Sequence, residues 1–209
     1  MNPSKSEAVL RRLSHYARCL RRVTGNGQNL VTSEYLAGPC GTTAASVRKD
    51  LSIFGEFGKR GAGYDTRELL RAIEEVLGIH DPPPLVLVGA GRMGRILAED
   101  CIPGSHYSFL AVFDNDRDMI GTDLGDIRVR HTNEMKVVLS GIDRFIGIIA
   151  VTPGSAQKAS DLLLECNCRS ILCFNMEPVS APDGVSLRYA EMPTELDMLC
   201  HSLSHENDS

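Results

Sequence analysis

A glycine-rich turn that could hold a dinucleotide follows a short apolar run at residues 85–88. In the pattern GxGxxG, the first glycine permits a tight turn, the second lets a pyrophosphate approach the backbone, and the third lets a helix pack closely on its strand. The phosphates would meet backbone N–H groups at the start of a helix that we predict over residues 95–100. The candidate cofactor-binding residues of this turn are Gly89, Ala90, Gly91, Arg92, Met93 and Gly94.

An acidic residue stands where such a site needs one, at the end of a second predicted strand over residues 109–113. Asp114 follows Gly89 by 25 residues, close to the spacing at which an acid accepts a hydrogen bond from a ribose 2′-hydroxyl. A carboxylate there would repel a 2′-phosphate, so the sequence favours NAD(H) over NADP(H). The alternative is a fold of the same type whose site is empty or holds another nucleotide, such as coenzyme A.

Residues after two later strands could complete the pocket. We predict buried strands over residues 145–151 and 170–174, and ligands of parallel sheets bind at the carboxyl ends of the strands. Thr152 and Pro153 follow the first of these strands, and Phe174 ends the second. All three are candidates to line a nicotinamide pocket, although an aromatic side chain at a strand end is more often part of the core.

The N-terminal region carries a pattern typical of DNA recognition. A short helix is predicted over residues 33–36 and a longer one over residues 44–54, with glycines between them. Val47, Leu51 and Phe54 share one face of the longer helix, so the opposite face is polar. Arginine and lysine on such a face reach guanine acceptors or phosphates, and hydroxyl groups add short contacts. The candidate DNA-binding residues of this helix are Thr43, Ser46, Arg48, Lys49 and Ser52.

A basic loop directly follows that helix. Residues 55–64 alternate glycine with other residues and place Lys59 and Arg60 side by side. Glycines supply the positive φ angles of a tight hairpin, so the two cations are predicted at its tip. Beside a recognition helix, such a hairpin is a wing whose arginine can enter a narrow minor groove. The alternative is a solvated surface loop.

Charge and proline content divide the chain. The net charge of -5 combines a net +4 over residues 1–80 with a net -9 over residues 81–209. Three prolines, Pro82 to Pro84, lie at this boundary and end a helix predicted over residues 66–79. An uneven surface charge without a partner is the alternative, but the coincidence favours separate domains. The predicted divisions are residues 1–80 for a DNA-binding domain, 81–190 for a Rossmann domain and 191–209 for a C-terminal helix and tail.

The order of predicted strands and helices after residue 80 gives the fold class α/β, with a doubly wound parallel sheet. A last helix is predicted from an apolar stripe, with Thr194 and Asp197 as a variant of the capping box. The stripe consists of Met192, Leu196, Leu199 and Leu203. Such a helix either packs on its own sheet or inserts into a partner subunit.

The composition, with 43% hydrophobic and 23% charged residues, is that of an ordinary globular protein. The longest apolar run, residues 145–151, is too short to cross a bilayer, and the N-terminus lacks the apolar segment of a secretory signal. We therefore expect a cytoplasmic protein with no membrane partner. Seven cysteines without a CxxC pair predict free thiols and no metal site.

An NAD-dependent oxidoreductase with an incidental helical N-terminal region is the main alternative function. A dehydrogenase needs a proton-transfer group near the nicotinamide, such as a histidine, a Tyr-x-x-x-Lys pair or a zinc ion. None of the five tyrosines has a lysine four residues later, and the histidines lie mainly in predicted termini, linker and loops. The sequence therefore favours a DNA-binding protein that is not an enzyme.

Residues 47–64, with the sequence VRKDLSIFGEFGKRGAGY, resemble the signature of Rex, a family of redox-sensing transcriptional repressors of bacteria. Further segments extend this resemblance over nearly the whole chain. They are Arg12-Leu13 with Tyr16, the glycine-rich turn at residues 89–94, and residues 111–114, 151–153 and 156–159.

The resemblance implies a homodimer in which each subunit has a winged helix-turn-helix domain and a Rossmann domain, and in which the C-terminal helices are exchanged. It implies that palindromic operator DNA is bound when NAD⁺ predominates and is released when NADH binds. By position, Arg48 and Lys49 would lie on the recognition helix, and Lys59 and Arg60 on the wing.

The resemblance also implies a switch between domains. In the family, an arginine of the N-terminal domain pairs with an acid before the exchanged helix in one conformation. Arg18 and Glu191 occupy these positions here, with glutamate in place of the more usual aspartate. Residues 173–178, CFNMEP, depart from the family's Asn-Phe-x-Pro sequence, because the asparagine is replaced and one residue is added. We therefore expect the nicotinamide contacts to differ there.

Overall fold

The computed structural model describes residues 7–55, 63–102, 105–175 and 177–205. The chain divides into two compact units, Met1–Pro82 and Pro83–Ser209. The described elements of the N-terminal unit are α1 (Glu7–Gly25), β1 (Leu30–Val31), α2 (Ser33–Ala37), α3 (Ala44–Ser52), β2 (Tyr64–Asp65) and α4 (Thr66–Leu77).

α2 and α3 form a helix-turn-helix, as predicted. The Thr32 hydroxyl accepts a hydrogen bond from the Tyr35 N–H at 3.3 Å, and the Thr43 hydroxyl accepts one from the Ser46 N–H at 3.1 Å. These bonds satisfy backbone donors that would otherwise lack a partner at the start of each helix. Gly41 has φ +57°, a left-handed conformation that glycine adopts readily, and it brings the chain from one helix to the next.

The core of the N-terminal unit lies between α1, α3 and α4. Val47 and Leu51 are buried on the predicted apolar face of α3, and Phe54 packs against the same cluster although the helix ends at Ser52. β2 pairs with β1 in antiparallel orientation, a pairing not predicted from the sequence. Most of the predicted wing, residues 56–62 with Lys59 and Arg60, lies outside the described residues.

The C-terminal unit is a sheet with helices on both faces. Its described elements are β3 (Leu85–Val88), α5 (Arg92–Ile96), β4 (Phe109–Asp114), β5 (Asp123–Leu124), β6 (Ile127–His131), α6 (Met135–Val138), β7 (Ile146–Ile149), α7 (Ala156–Glu165), β8 (Ser170–Cys173), β9 (Ser186–Tyr189) and α8 (Met192–His205). The strand order is β5-β6-β4-β3-β7-β8-β9, and all neighbouring strands are parallel except β5 and β6. The chain runs outward from β3 to β4 on one side and resumes at β7 on the other, so the predicted doubly wound Rossmann fold is confirmed.

Alternate residues of the central strand β3 pack on opposite faces of this sheet. Val86 and Val88 join the cluster that contains Leu163 of α7, whereas Leu85 and Leu87 join the cluster on the other face. All four are buried, as expected for a parallel strand covered on both sides.

Two parts of this unit differ from the sequence-based expectation. The helix predicted over residues 95–100 begins earlier, at Arg92, and continues as a π-helical turn over Leu97–Cys101. β5 and β6 were not predicted, and they form an antiparallel hairpin at one edge of the sheet.

The C-terminal helix α8 begins at Met192, so the predicted cap at Thr194 is wrong. Thr194 lies inside the first turn, and its hydroxyl donates a hydrogen bond at 2.7 Å to the carboxylate of Glu191, the residue that precedes the helix. Every side chain from 191 to 204 is exposed. Within the described part of the chain, no helix combines the length and the apolar character needed to span a bilayer.

Candidate functional site

A pocket of about 280 Å³ opens at the carboxyl ends of β3, β4 and β7. Neighbouring strands lead the chain in opposite directions here, and ligands of doubly wound sheets bind at such a point. The volume lies just below the roughly 300–1,000 Å³ that is usual for ligand pockets. Of the residues predicted to bind a cofactor, Gly89, Gly91, Asp114 and Thr152 line the pocket.

The three glycines of the turn have different surroundings. Gly89 has φ +107°, and a Cβ atom there would overlap the backbone of Ala150. A Cβ atom on Gly94 would overlap the carbonyl oxygen of Gly89, which α5 approaches closely. No atom lies within 4 Å of the Cβ position of Gly91. Packing therefore requires the first and third glycines, whereas the second leaves open space for a ligand.

The Asp114 carboxylate holds the turn by accepting backbone hydrogen bonds. Its Oδ2 atom accepts from the Ala90 N–H at 2.6 Å, and its Oδ1 atom accepts from the Asn115 and Asp116 N–H groups at 2.7 and 2.9 Å. A carboxylate offers about four acceptor positions, so one remains for a hydroxyl group of a ligand.

The other predicted cofactor-binding residues do not line the pocket. They are Ala90, Arg92, Met93, Gly94, Pro153 and Phe174. Ala90 is fully buried below the turn. Phe174 packs against the hydrophobic cluster on one face of the sheet, which is the core position that its place at a strand end also suggested.

Several pocket residues were not found from the sequence. They are Asn115, Asp116, Met119, Thr132, Ser155, Lys158 and Leu162. Lys158 brings a positive charge to the first turn of α7, where the helix dipole disfavours a cation. Among the described residues it has no ion-pair partner, so an anionic ligand would stabilise it.

The segment with the atypical sequence is tied to the loop that follows β7. The Gly154 N–H donates to Glu177 Oε2 at 2.6 Å, and the Asn175 side-chain amide donates to the Thr152 carbonyl oxygen at 3.4 Å. Glu177 is thus one of the residues that position the pocket loop, a role not predicted for it.

The predicted recognition helix α3 presents its polar face to solvent. Lys49, Arg48 and Ser52 are exposed, and Ser46 is partly exposed. The Arg48 guanidinium donates from Nη1 to Ser33 Oγ at 2.8 Å and to Glu34 Oε1 at 3.2 Å. The Thr43 and Ser46 hydroxyl oxygens lie 3.0 Å apart. This face therefore offers two cationic side chains and several hydroxyl groups for contact with a nucleic acid.

An ion pair with a buried carboxylate fixes α3 to α1. Arg12 donates two hydrogen bonds to the Asp50 carboxylate, at 2.6 and 2.7 Å, and the Tyr16 hydroxyl donates a third at 3.0 Å. Only 3% of the Asp50 side chain is exposed. The bond from Arg12 holds the pKa of Asp50 below its ordinary value, and burial raises the pKa of Tyr16. Asp50 was not singled out from the sequence, although its place beside Leu51 on the apolar face of α3 marks it as unusual.

The two residues of the implied switch lie in different units. Arg18 is exposed on α1, and Glu191 is exposed and accepts the bond from Thr194. The seven cysteines are free thiols. Among the described residues, no group of three or more His, Cys, Asp or Glu side chains is placed to hold a metal ion.

These features define a class of protein that joins a helix-turn-helix unit to a Rossmann unit with a pocket at its glycine-rich turn. Two family models match the same division. One is described as "Putative DNA-binding protein N-terminus" and matches residues 6–52; the other is described as "CoA binding domain" and matches residues 81–176.

Relatives called redox-sensing transcriptional repressor Rex align with almost the whole chain. The protein from Chloroflexus aurantiacus is 36% identical over 203 residues, which cover 97% of this chain and 96% of the relative. The protein from Desulforamulus reducens is 37% identical over 199 residues, which cover 95% of each chain. The chain therefore belongs to the Rex family of transcriptional repressors.

Solved structures of RSP, a Rex-family repressor, are similar to this chain. RSP has a TM-score of 0.80 at 26% identity, with 99% of this chain and 98% of RSP covered. RSP in complex with β-NADH has a TM-score of 0.82 at 25% identity, with 99% and 97% covered. RSP in complex with β-NAD⁺ and operator DNA has a TM-score of 0.83 at 27% identity, with 97% and 94% covered.

Proposed function

We propose that this chain represses transcription according to the cellular ratio of NADH to NAD⁺. It binds palindromic operator DNA when NAD⁺ predominates and releases the DNA when it binds NADH. The main support for this function is that a single chain holds both a helix-turn-helix with an exposed cationic face and a pocket at a GxGxxG turn. RSP has been solved in complex with NADH and in complex with NAD⁺ and operator DNA, which supports binding of both the dinucleotide and DNA.

The pocket residues fit a nicotinamide dinucleotide. The open space at Gly91 lets a pyrophosphate approach the backbone N–H groups at the start of α5. Asp114 would accept a hydrogen bond from a ribose hydroxyl, and Lys158 would attract the phosphates. Our candidates near the nicotinamide ring are Thr152, which lines the pocket, and its chain neighbour Pro153, whereas the predicted Phe174 packs in the core. The bound dinucleotide supplies a ring that is cationic when oxidised and neutral when reduced.

The N-terminal unit would place α3 in a major groove of DNA. Arg48 and Lys49 would reach bases or phosphates, because their side chains are long, charged and exposed. The proposed contacts on this helix are Thr43, Ser46, Arg48, Lys49 and Ser52, with Lys59 and Arg60 on the wing.

A second copy of the chain would cover α8. Its apolar side chains are between 53% and 73% exposed, which is unusual for a monomer. They are Met192, Leu196, Met198, Leu199 and Leu203. An apolar groove of about 310 Å³ on the same unit, lined in part by Ile148 and Leu172, offers such a helix a place to dock. We infer a homodimer with exchanged α8 helices, whose two recognition helices read the two halves of a palindrome.

The dimer would switch between two shapes, with Arg18 and Glu191 paired in only one of them. A ligand shifts such an equilibrium only by the difference between its affinities for the two shapes. A shift from 1:99 to 99:1 requires roughly 5.5 kcal/mol, which two nucleotide sites would share.

We assign the pocket to sensing and not to catalysis. The relatives that align with almost the whole chain are called transcriptional repressors, which supports this assignment. We place the protein in the cytoplasm, because a bacterial repressor must reach the chromosome.

The direct test uses the full-length protein and a duplex that it selects from a random-sequence pool. Binding is measured by gel shift at one fixed salt concentration, with NAD⁺, NADH and coenzyme A titrated separately. We expect NADH to release the duplex and coenzyme A to leave it bound. We expect Lys49→Ala to weaken duplex binding by about tenfold, or 1.4 kcal/mol, without changing NADH affinity. Release by coenzyme A, or no effect of NADH, would contradict the proposed function.

A further inference from the structure

The recognition-helix arginine is bonded to the first helix of the helix-turn-helix. Arg48 Nη1 donates to Ser33 Oγ at 2.8 Å and to Glu34 Oε1 at 3.2 Å. The Ser33 hydroxyl in turn donates to Glu34 Oε1 at 3.3 Å. Ser33 is only 6% exposed, so the group that receives Arg48 is fixed in the fold.

This contact contributes little to folding stability. The Arg48 and Glu34 side chains are 56% and 67% exposed, and solvent-exposed ion pairs stabilise proteins weakly. Hydrogen bonds from the Glu34 backbone N–H and from Thr32 lower the pKa of Glu34, so it carries a full negative charge at neutral pH. A carboxylate on the face that meets DNA also repels phosphates. The direct effect of Glu34 in the structure is on Arg48, whose guanidinium it binds.

An arginine whose guanidinium is held in place loses less conformational freedom when it binds a base. With Nη1 engaged, Arg48 still has donors on Nη2 and Nε, the pair that can form a two-bond contact with a guanine. Lys49 differs, because no ion pair fixes it among the described residues.

We propose that Glu34, supported by Ser33, is a positioning residue that sets the sequence specificity of DNA binding. It orients Arg48 for contact with bases, and its charge weakens binding that depends on phosphates alone. This role rests on the proposed function, since it requires that α3 reads DNA.

The test compares Glu34→Gln with Glu75→Gln in the full-length protein. Glu75 pairs with Arg71 at 3.2 Å on an exposed face of α4, so the two changes remove the same charge from similar ion pairs. The probes are a duplex selected by the wild-type protein from a random pool and a scrambled duplex of equal length. Affinity for each is measured by fluorescence anisotropy at several salt concentrations.

We expect Glu34→Gln to reduce the ratio of selected to scrambled affinity by about two- to fivefold, because ordering Arg48 in advance cannot add more to binding than the exposed pair itself contributes. Affinity for the scrambled duplex should stay the same or rise, and Glu75→Gln should leave the ratio unchanged. A structural role alone would lower both affinities together and leave their ratio unchanged. That result, or an equal change in both variants, would overturn the proposal.

A double-mutant cycle with Arg48→Ala completes the test. If Glu34 acts through Arg48, Glu34→Gln should not change the affinity ratio further in the Arg48→Ala protein. An undiminished effect in that background would overturn the proposal. If the wild-type protein selects no preferred duplex, the proposed function itself fails, and the two failures are thus distinguishable.

Discussion

The two units hold their candidate binding surfaces in different ways. In the N-terminal unit, side chains bind other side chains between helices, as Arg12 does with Asp50 and Arg48 with Glu34. In the C-terminal unit, carboxylates bind backbone N–H groups, as Asp114 does with Ala90. DNA sequence is read by side chains, whereas a pyrophosphate is held by backbone N–H groups at a glycine-rich turn. Each unit therefore fixes the groups that its proposed ligand would touch.

The largest expected effect comes from breaking the buried pair in the N-terminal unit. Asp50→Asn should lower the free energy of unfolding of that unit by about 3 kcal/mol, because the buried Asp50 carboxylate accepts hydrogen bonds from Arg12 and Tyr16 that an amide cannot all replace. Native-state hydrogen exchange on the full chain measures this unit by unit. Protection should fall in α1 and α3 and remain in β3 and β4.

The exposed pair between Arg71 and Glu75 supplies the control for that change. Glu75→Gln should alter stability by less than about 0.5 kcal/mol. Equal effects of the two substitutions would contradict the special role of the buried pair.

The corresponding change in the C-terminal unit is Gly94→Ala. Its new methyl group would overlap the Gly89 carbonyl oxygen, so we expect about 2 kcal/mol of destabilisation, confined to that unit. Gly91→Ala is the matched variant, since its methyl group meets no protein atom. It should leave stability unchanged and weaken NADH binding by about tenfold. Stability is measured by calorimetry and NADH affinity by titration for both variants. Normal NADH binding by Gly91→Ala would contradict this account.

A smaller effect concerns acid pH. Because the pKa of Asp50 is lowered in the folded state, the unfolded chain binds a proton more readily, and the stabilisation is lost as pH falls. It should be complete above about pH 5 and disappear progressively below about pH 4. The stability difference between the wild-type protein and Asp50→Asn should therefore shrink at low pH, as measured by thermal unfolding. A difference that stays constant from pH 6 to pH 3 would contradict the assignment.

Local patterns were enough to predict much of this structure. The 3.6-residue spacing of Val47, Leu51 and Phe54 predicted the buried face of α3, and the apolar run before Gly89 predicted β3. The hairpin of β5 and β6 was missed, although residues 127–131 alternate apolar and polar side chains as a half-buried strand does. The two strands of this hairpin have only two and five residues, so the sequence pattern that predicts them is weak.

Contacts between distant segments could not be predicted in the same way. Lys158 lines the same pocket as the glycine-rich turn only because β7, which precedes its helix, pairs with β3. Spacing along the chain does not reveal that pairing. Asp50 likewise belongs to a polar cluster whose other members lie on α1. The side chains that hold the candidate sites in place come together only through tertiary packing. The glycine-rich turn and the recognition helix, in contrast, can be recognised from local sequence.

The central claim is that one chain couples the nucleotide pocket to DNA binding, and reciprocal binding measurements test it most directly. NADH affinity is measured by calorimetry for the free full-length protein and for its complex with the selected duplex, and duplex affinity is measured with and without saturating NADH. Linkage requires that both affinities fall by the same factor, which we expect to be about 10- to 100-fold. Equal NADH affinity for the free protein and the DNA complex would contradict the account.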